Sequence, residues 1–245
     1  METILLEKDD SLLSALILPR GVTAIVGGGG KTTLMLRLAR ELGALGARVI
    51  VTTTTHIFPP EWMPTLTNAT LQDAQTALEQ DRVICLGNPS KDGKLSAPDF
   101  SIDQMQQIAD YVLVEADGAR RLPLKAPAAH EPVIPPETRL VVAVAGLDGL
   151  GKSIQETTFR PELYASLCGK TTEDIVSAQD IATVIAHPNG QRKGVADGMR
   201  FAVLLNKADD ASARSAARNI ATYLQQSNTE RVVIASLGGT AAGLI

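Results

Sequence analysis

An α/β fold of three layers, built on a mostly parallel sheet, is predicted from three observations. Short, continuously apolar, β-branched runs recur along the chain, as expected of strands buried on both faces. Stretches with helical apolar period alternate with them, the rhythm of helices packed on both sides of a parallel sheet. With 245 residues, 44% of them apolar and 20% charged, the chain can bury a core of useful size. No repeat, low-complexity tract or linker divides it, so residues 1–245 read as one domain.

The first strand is predicted at 22–26 (VTAIV). A helix at 32–42 follows, with Leu34, Leu38 and Leu42 on one stripe and Gly43 as its stop. Further strands are expected at 48–52, 82–86, 111–115, 140–145, 201–205 and 231–235. Helices are expected at 102–109, 161–167, 178–186 and 212–225, with Pro161 suited to a first helical position and Gly169 to an end. Residues 58–68 read as a loop, and 88–98 as a loop or short hairpin around Asp92-Gly93. An irregular insertion at 120–136 carries Pro123, Pro127, Pro132, Pro135 and Pro136, and must be largely extended.

Charge and composition exclude several functions. The net charge is -4, and no segment concentrates Lys and Arg, which argues against a nucleic-acid partner. Four Phe, three Tyr and one Trp are too few for a base-stacking platform. Cys85 and Cys168 form no CxxC pair and point to a reducing compartment and packing roles. The N-terminal METILLEKDD lacks a signal peptide's basic flank and apolar run, and no apolar stretch reaches the roughly 18 residues of a membrane span. A soluble, cytoplasmic protein is expected.

The sharpest motif is Gly27-Gly28-Gly29-Gly30-Lys31-Thr32-Thr33, between a buried strand and an amphipathic helix. Glycines let backbone N–H groups approach phosphate oxygens, and the helix N-terminus favours anions. Lys31 would reach the β- and γ-phosphates, and the Thr32 hydroxyl would ligate Mg²⁺. The loop is shorter than the usual Walker A form and resembles the GxxGK[TS] loop of Mur-type ligases. It is no dinucleotide fingerprint, because Thr32 or Thr33 stands where the last glycine is needed. The competing reading is a glycine-rich turn that merely joins strand to helix.

Two further motifs close strands. Tyr111 to Gly118 (YVLVEADG) delivers Glu115 and Asp117, either of which could serve Mg²⁺ or the attacking water. Its Glu115-x-x-Gly118 resembles the ExxG variant of the switch in metallocentre-maturation GTPases, where the Gly118 N–H would sense the γ-phosphate. An ordinary Asp-Gly surface turn is the competing reading. Asn206-Lys207-Ala208-Asp209 is the NKxD pattern of GTPases. The Asp209 carboxylate can accept two hydrogen bonds from guanine, a donor pair that adenine lacks, so GTP is favoured over ATP. Lys207 would lie along the base, Asn206 would brace the loop, and Ser236 and Leu237 would back the base. A polar helix cap before Ser212 is the alternative.

Softer signals surround these. Hydroxyls of Thr52 to Thr55 could face the γ-phosphate, or could simply reflect strand propensity. His56, His130 and His187 are not spaced as a metal cluster and read as structural. Arg120, Arg121 and Lys125 could clamp an anionic substrate, or form a solvated loop. Gly149 to Ser153 (GLGKS) lacks the spacing of a second phosphate loop and reads as a turn. No glutamine follows Gly118 closely to orient water, so intrinsic hydrolysis is expected to be slow.

Together GGGGKTT, TTTTHI, VEADGARRLPLKAP, the AGLDGLGK run and LLNKAD resemble the YqeC-like family, regarded as accessory proteins of selenium-dependent molybdenum hydroxylases. The resemblance spans about residues 22–236. It implies a P-loop NTPase-like fold and a nucleotide-binding protein that helps mature or load a selenium- and molybdenum-containing cofactor. The client would be the molybdenum hydroxylase or its cofactor-assembly factors. The residues themselves leave three readings open: a GTPase-like maturation factor, an ATP-dependent kinase or ligase acting on a small anionic precursor, and a non-hydrolysing nucleotide sensor.

Overall fold

The computed structural model of the chain describes residues 1–7 and 10–238; Lys8 and Asp9 of the acidic N-terminal stretch lie outside the described residues. Thirteen strands lie among the described residues: β1 Glu2–Leu5, β2 Gly21–Gly27, β3 Val49–Thr53, β4 Thr65–Leu66, β5 Val83–Leu86, β6 Asn88–Pro89, β7 Leu95–Ser96, β8 Tyr111–Glu115, β9 Leu124–Lys125, β10 Thr138–Gly146, β11 Thr158–Phe159, β12 Arg200–Asn206 and β13 Arg231–Ile234. The α-helices among the described residues are α1 Leu12–Leu16, α2 Lys31–Ala44, α3 Leu71–Asp81, α4 Ile102–Ile108, α5 Ile154–Thr157, α6 Pro161–Cys168, α7 Ala178–Ala186 and α8 Ala211–Leu224.

Among the described residues nine strands form one sheet in the order β1-β13-β12-β10-β2-β8-β3-β5-β4, and every pairing within it is parallel. The apolar runs explain the layering, because side chains alternate across a strand. In β2, Ile25 packs on the side of α1 and α2, with Leu12, Leu34, Met35 and Leu38. Its neighbours Ala24 and Val26 face the opposite side, with Ile181, Ile185, Ile220 and Leu224 of α7 and α8. Further along that side, Ile50, Ile84, Val112 and Val114 meet Ala74 and Leu78 of α3 and Met105 of α4. Helices thus cover both faces, and the fold is the α/β, three-layered, P-loop NTPase-like arrangement.

Differences from the expected elements have local causes. Helix α2 runs through Gly43 to Ala44, and Gly46 (φ 77°) takes the left-handed turn instead. Arg82 does not open a strand but caps α3 with φ 62°. Helix α3 starts on a capping box in which the Thr70 hydroxyl accepts from Asp73 N–H and the Asp73 carboxylate accepts from Thr70 N–H. The 88–98 stretch is a hairpin, β6 against β7, turned at Asp92 and Gly93. The short β4 interrupts the 58–68 loop. The proline-rich 120–136 segment is irregular except for β9, which pairs in parallel with β11. No helix among the described residues is long and apolar enough to cross a membrane.

Candidate nucleotide-binding site

Parallel strands present their C-terminal ends at one edge, the usual place for a ligand in an open α/β sheet. Here β12, β10, β2 and β8 bring Asn206, Gly146, Gly27 and Glu115 to that edge in that order. The tetraglycine bend after β2 fits only without side chains. Gly27 has φ 99°, and a Cβ there would lie 2.2 Å from the Val144 carbonyl oxygen. At Gly30, φ is 137° and a Cβ would lie 2.2 Å from Asn206 Nδ2.

Not all four glycine amides face outward. Gly27 N–H donates to Asp117 Oδ2 (3.1 Å), Gly28 N–H to the Val144 carbonyl (2.9 Å) and Gly29 N–H to the Leu122 carbonyl (3.0 Å). Gly27 and Gly28 therefore shape the bend from behind, whereas Gly29, Gly30, Lys31, Thr32 and Thr33 line a cleft of about 920 Å³. The Gly30 cap supplies no side-chain acceptor to the first turn of α2, so that turn's leading N–H groups, at the cleft-lining Lys31, Thr32 and Thr33, have no hydrogen-bond partner among the described residues.

The two carboxylates after β8 have opposite surroundings. Glu115 lines the cleft, and its Oε2 accepts a hydrogen bond from the exposed Thr32 hydroxyl at 2.7 Å. Burial pushes the Glu115 carboxyl above its ordinary range, against the pull of Lys31 and Thr32. Asp117, expected on the metal, is instead fully buried behind the loop. It pairs with Lys31, accepts from Gly27 N–H and pairs with Lys125 at 3.0 Å. The strand's pleat decides this: Glu115 ends β8 facing the cleft, and the chain then turns, carrying Asp117 beneath the glycines. Gly118 lines the cleft with its N–H in no intramolecular hydrogen bond among the described residues.

A chain of charges continues behind the loop that sequence reasoning did not assemble. Lys125 has no exposed side-chain surface; it contacts Asp117, the Gly118 carbonyl and Glu131 (2.8 Å). Glu131 also pairs with Arg160. Burial lowers the Lys125 pKa. Against the upward push of burial, hydrogen bonds from Arg160 and Lys125 hold Glu131 down at about 2. Lys125 is therefore a buried strut, unavailable as the substrate clamp its sequence position suggested.

At the other end, Asn206 Nδ2 donates to the Gly29 carbonyl (2.8 Å), and Leu237 N–H donates to Asn206 Oδ1 (3.0 Å). Asn206 thus braces the loop after β12 against the glycine bend. Lys207 lines the cleft with φ 66° and pairs with Asp148 at 2.6 Å. Asp209 is exposed and accepts from the Ser236 hydroxyl.

Of the threonine run, Thr52, Thr53 and Thr54 donate their hydroxyls to the carbonyls of Leu86, Glu115 and Val133. Only Thr55 of the four lines the cleft, followed by His56, Ile57 and Phe58. Arg120 and Arg121 also line it, with φ 47° and 64°. Left-handed backbone costs a non-glycine residue roughly 1–2 kcal/mol, and two in succession mark a strained turn. Both cysteine thiols are pushed up to about 12 by burial, which suits packing and not nucleophilic chemistry.

Among the described residues no group of three or more His, Cys, Asp or Glu gathers to hold a metal. The donor set beside the glycine bend is instead one hydroxyl and one carboxylate, Thr32 and Glu115. That set suits Mg²⁺, which takes one or two protein oxygens and completes its shell with phosphates and water.

Residues 23–162 match the family described as YqeC protein. A protein of Escherichia coli (strain K12), described as uncharacterized protein YqeC, is 33% identical over 233 residues, covering 89% of this chain and 91% of the relative. With the family match across more than half of the chain and a relative aligned over most of both lengths, the chain belongs to the YqeC family.

Proposed function

We propose that this protein binds a nucleoside triphosphate with Mg²⁺, GTP in preference to ATP, and turns it over slowly as an accessory factor for a selenium- and molybdenum-containing hydroxylase. One observation carries the nucleotide part: the Thr32 hydroxyl and the Glu115 carboxylate meet at 2.7 Å beside the unmet amides at the start of α2. The accessory role rests on the resemblance of the motifs to the family, and a protein client would be its target.

In this reading the amides of residues 30–33 and the Lys31 ammonium hold the phosphate oxygens. Thr32 and Glu115 would hold Mg²⁺, which supplies charge neutralisation on the phosphates. Asp117 positions Lys31 from below; Gly118 N–H is free to meet a terminal phosphate oxygen. Asp209 keeps a carboxylate oxygen for the guanine edge while the other takes the Ser236 hydroxyl. With no glutamine near Gly118 to orient water, slow turnover follows.

A second reading, an ATP-dependent kinase or ligase, is favoured by the short Mur-like loop and by a cleft that continues past Glu115 to a cationic wall. Competition of GTP and ATP against a fluorescent nucleotide with Mg²⁺ separates the two. Lys31→Ala is expected to weaken both nucleotides strongly. Asp209→Ala is expected to weaken GTP by about 1–3 kcal/mol and leave ATP unchanged. Equal affinity for both nucleotides, unaltered by Asp209→Ala, discards the GTP preference; Lys31→Ala binding like the wild type discards the site.

A further inference from the structure

Resting on that nucleotide reading, we propose that the cleft beyond Glu115 binds a second ligand, a small molecule carrying a multiply charged oxyanion. The strand order places this region. From Asn206 the edge of the sheet passes the glycine bend to Glu115 and then to Thr53 at the end of β3, so the base-side motif and this region flank the phosphate loop on opposite sides.

Three cations line the far region: Lys94 from the β6–β7 hairpin, and Arg120 and Arg121 from the turn after β8. None of them reaches a carboxylate among the described residues, whereas the two acids that share the cleft are engaged. Glu115 meets Thr32 and Lys31, and Glu131 meets Lys125 and Arg160. The cations lie on aromatic rings. Arg120 sits 5.3 Å from the Phe159 centroid, and Arg121 and Lys94 sit 5.6 and 5.2 Å from the Phe58 centroid. A cation–π contact uses none of the guanidinium's N–H donors, which remain available to grip phosphate or carboxylate in a fork.

Phe58 is 48% exposed, and both arginines are exposed on left-handed backbone. A hydrogen bond from Leu122 N–H to the Ala119 carbonyl (2.9 Å) closes the turn that carries both arginines, and both side chains line the cleft. Three fixed positive charges call for a ligand with two or more negative ones, a phosphate ester or a polycarboxylate. The Leu122 carbonyl that follows Arg121 accepts the Gly29 N–H at 3.0 Å, so the turn holding this ligand is tied to the phosphate loop.

Calorimetric titration of the full chain with inorganic phosphate and, in parallel, citrate tests the assignment at constant ionic strength. Each titration is run with and without a saturating non-hydrolysable GTP analogue and Mg²⁺. The expected result is that at least one anion binds in the presence of the analogue and that Arg120→Ala/Arg121→Ala weakens it about tenfold or more. Lys94→Gln and Arg121→Gln, which keep side-chain bulk, are expected to weaken it less. Analogue affinity should stay within about twofold in all of them. Circular dichroism checks that each variant is folded.

Anion binding that the arginine variants leave unchanged, or no anion binding beside a bound analogue, overturns the proposal while the nucleotide site stands. Anion binding that vanishes when the analogue is added overturns it too, because the anion was then occupying the phosphate loop. Failure of the analogue to bind, with arginine-dependent anion binding intact, sinks the nucleotide reading and leaves the anion site standing.

Discussion

The charges behind the tetraglycine bend and the charges in front of it are arranged on opposite terms. Behind it, Lys31, Asp117, Lys125, Glu131 and Arg160 form an unbroken series in which every ion has an opposite partner. In front, Lys94, Arg120 and Arg121 rest on Phe58 and Phe159 and meet no carboxylate among the described residues. Burial explains the first arrangement, since an unpaired ion out of water is costly. Exposure permits the second, because solvent screens what the protein leaves unpaired. Paired charges fix the shape of the bend; unpaired ones are open to a ligand.

The sharpest way to break that contrast is Lys125→Ala. Removing Lys125 takes a buried partner from both Asp117 and Glu131, leaving them Lys31 and Arg160 respectively, and the loss should be about 3–5 kcal/mol in urea unfolding. If Lys125→Ala is as stable as the wild type, the buried series does not hold the bend.

Glu131 sharpens it through pH. Its carboxyl is held at about 2, below its usual 4.5, so its contribution is full above about pH 4.5 and is lost as pH falls toward 2. Glu131→Gln should lose about 1–3 kcal/mol at neutral pH and show a flatter decline than the wild type across that window. Glu115 acts in the opposite sense, because its raised pKa favours the protonated form in the folded chain. An acid limb of the same steepness in both proteins would remove Glu131 from the account. The smallest effect belongs to the front: Arg120→Ala/Arg121→Ala should change stability by no more than about 0.5 kcal/mol. A larger loss would mean that these cations hold structure after all.

The same contrast marks what could be read from residue order alone. Strands such as 111–115 and helices such as 178–186 were legible to the residue, because an apolar run and a capping serine are local signals. Helix α3 was missed although Thr70 and Asp73 announce it, since its apolar stripe is only Ala74 and Leu78 among polar neighbours. The tetraglycine bend, Glu115 and Asn206 were legible as motifs at strand ends. Which of Glu115 and Asp117 faces the cleft was not, because it depends on where the chain leaves the pleat. Lys125, Glu131 and Arg160 escaped as a group because they come together from irregular backbone, where spacing carries no period. Phe58, Phe159 and Lys94 escaped for the same reason.

The pairing of β1 with β13 has a consequence for how the protein is made. Glu2–Leu5 leaves the ribosome before the other strands of its sheet, yet its one neighbour there, Arg231–Ile234, is made after all of them. The strand must wait, its backbone unpaired, while the rest of the sheet is synthesised. A nascent chain stopped short of Arg231 would hold that segment open to chaperones and to wrong partners, so this seam of the sheet is sewn after the others.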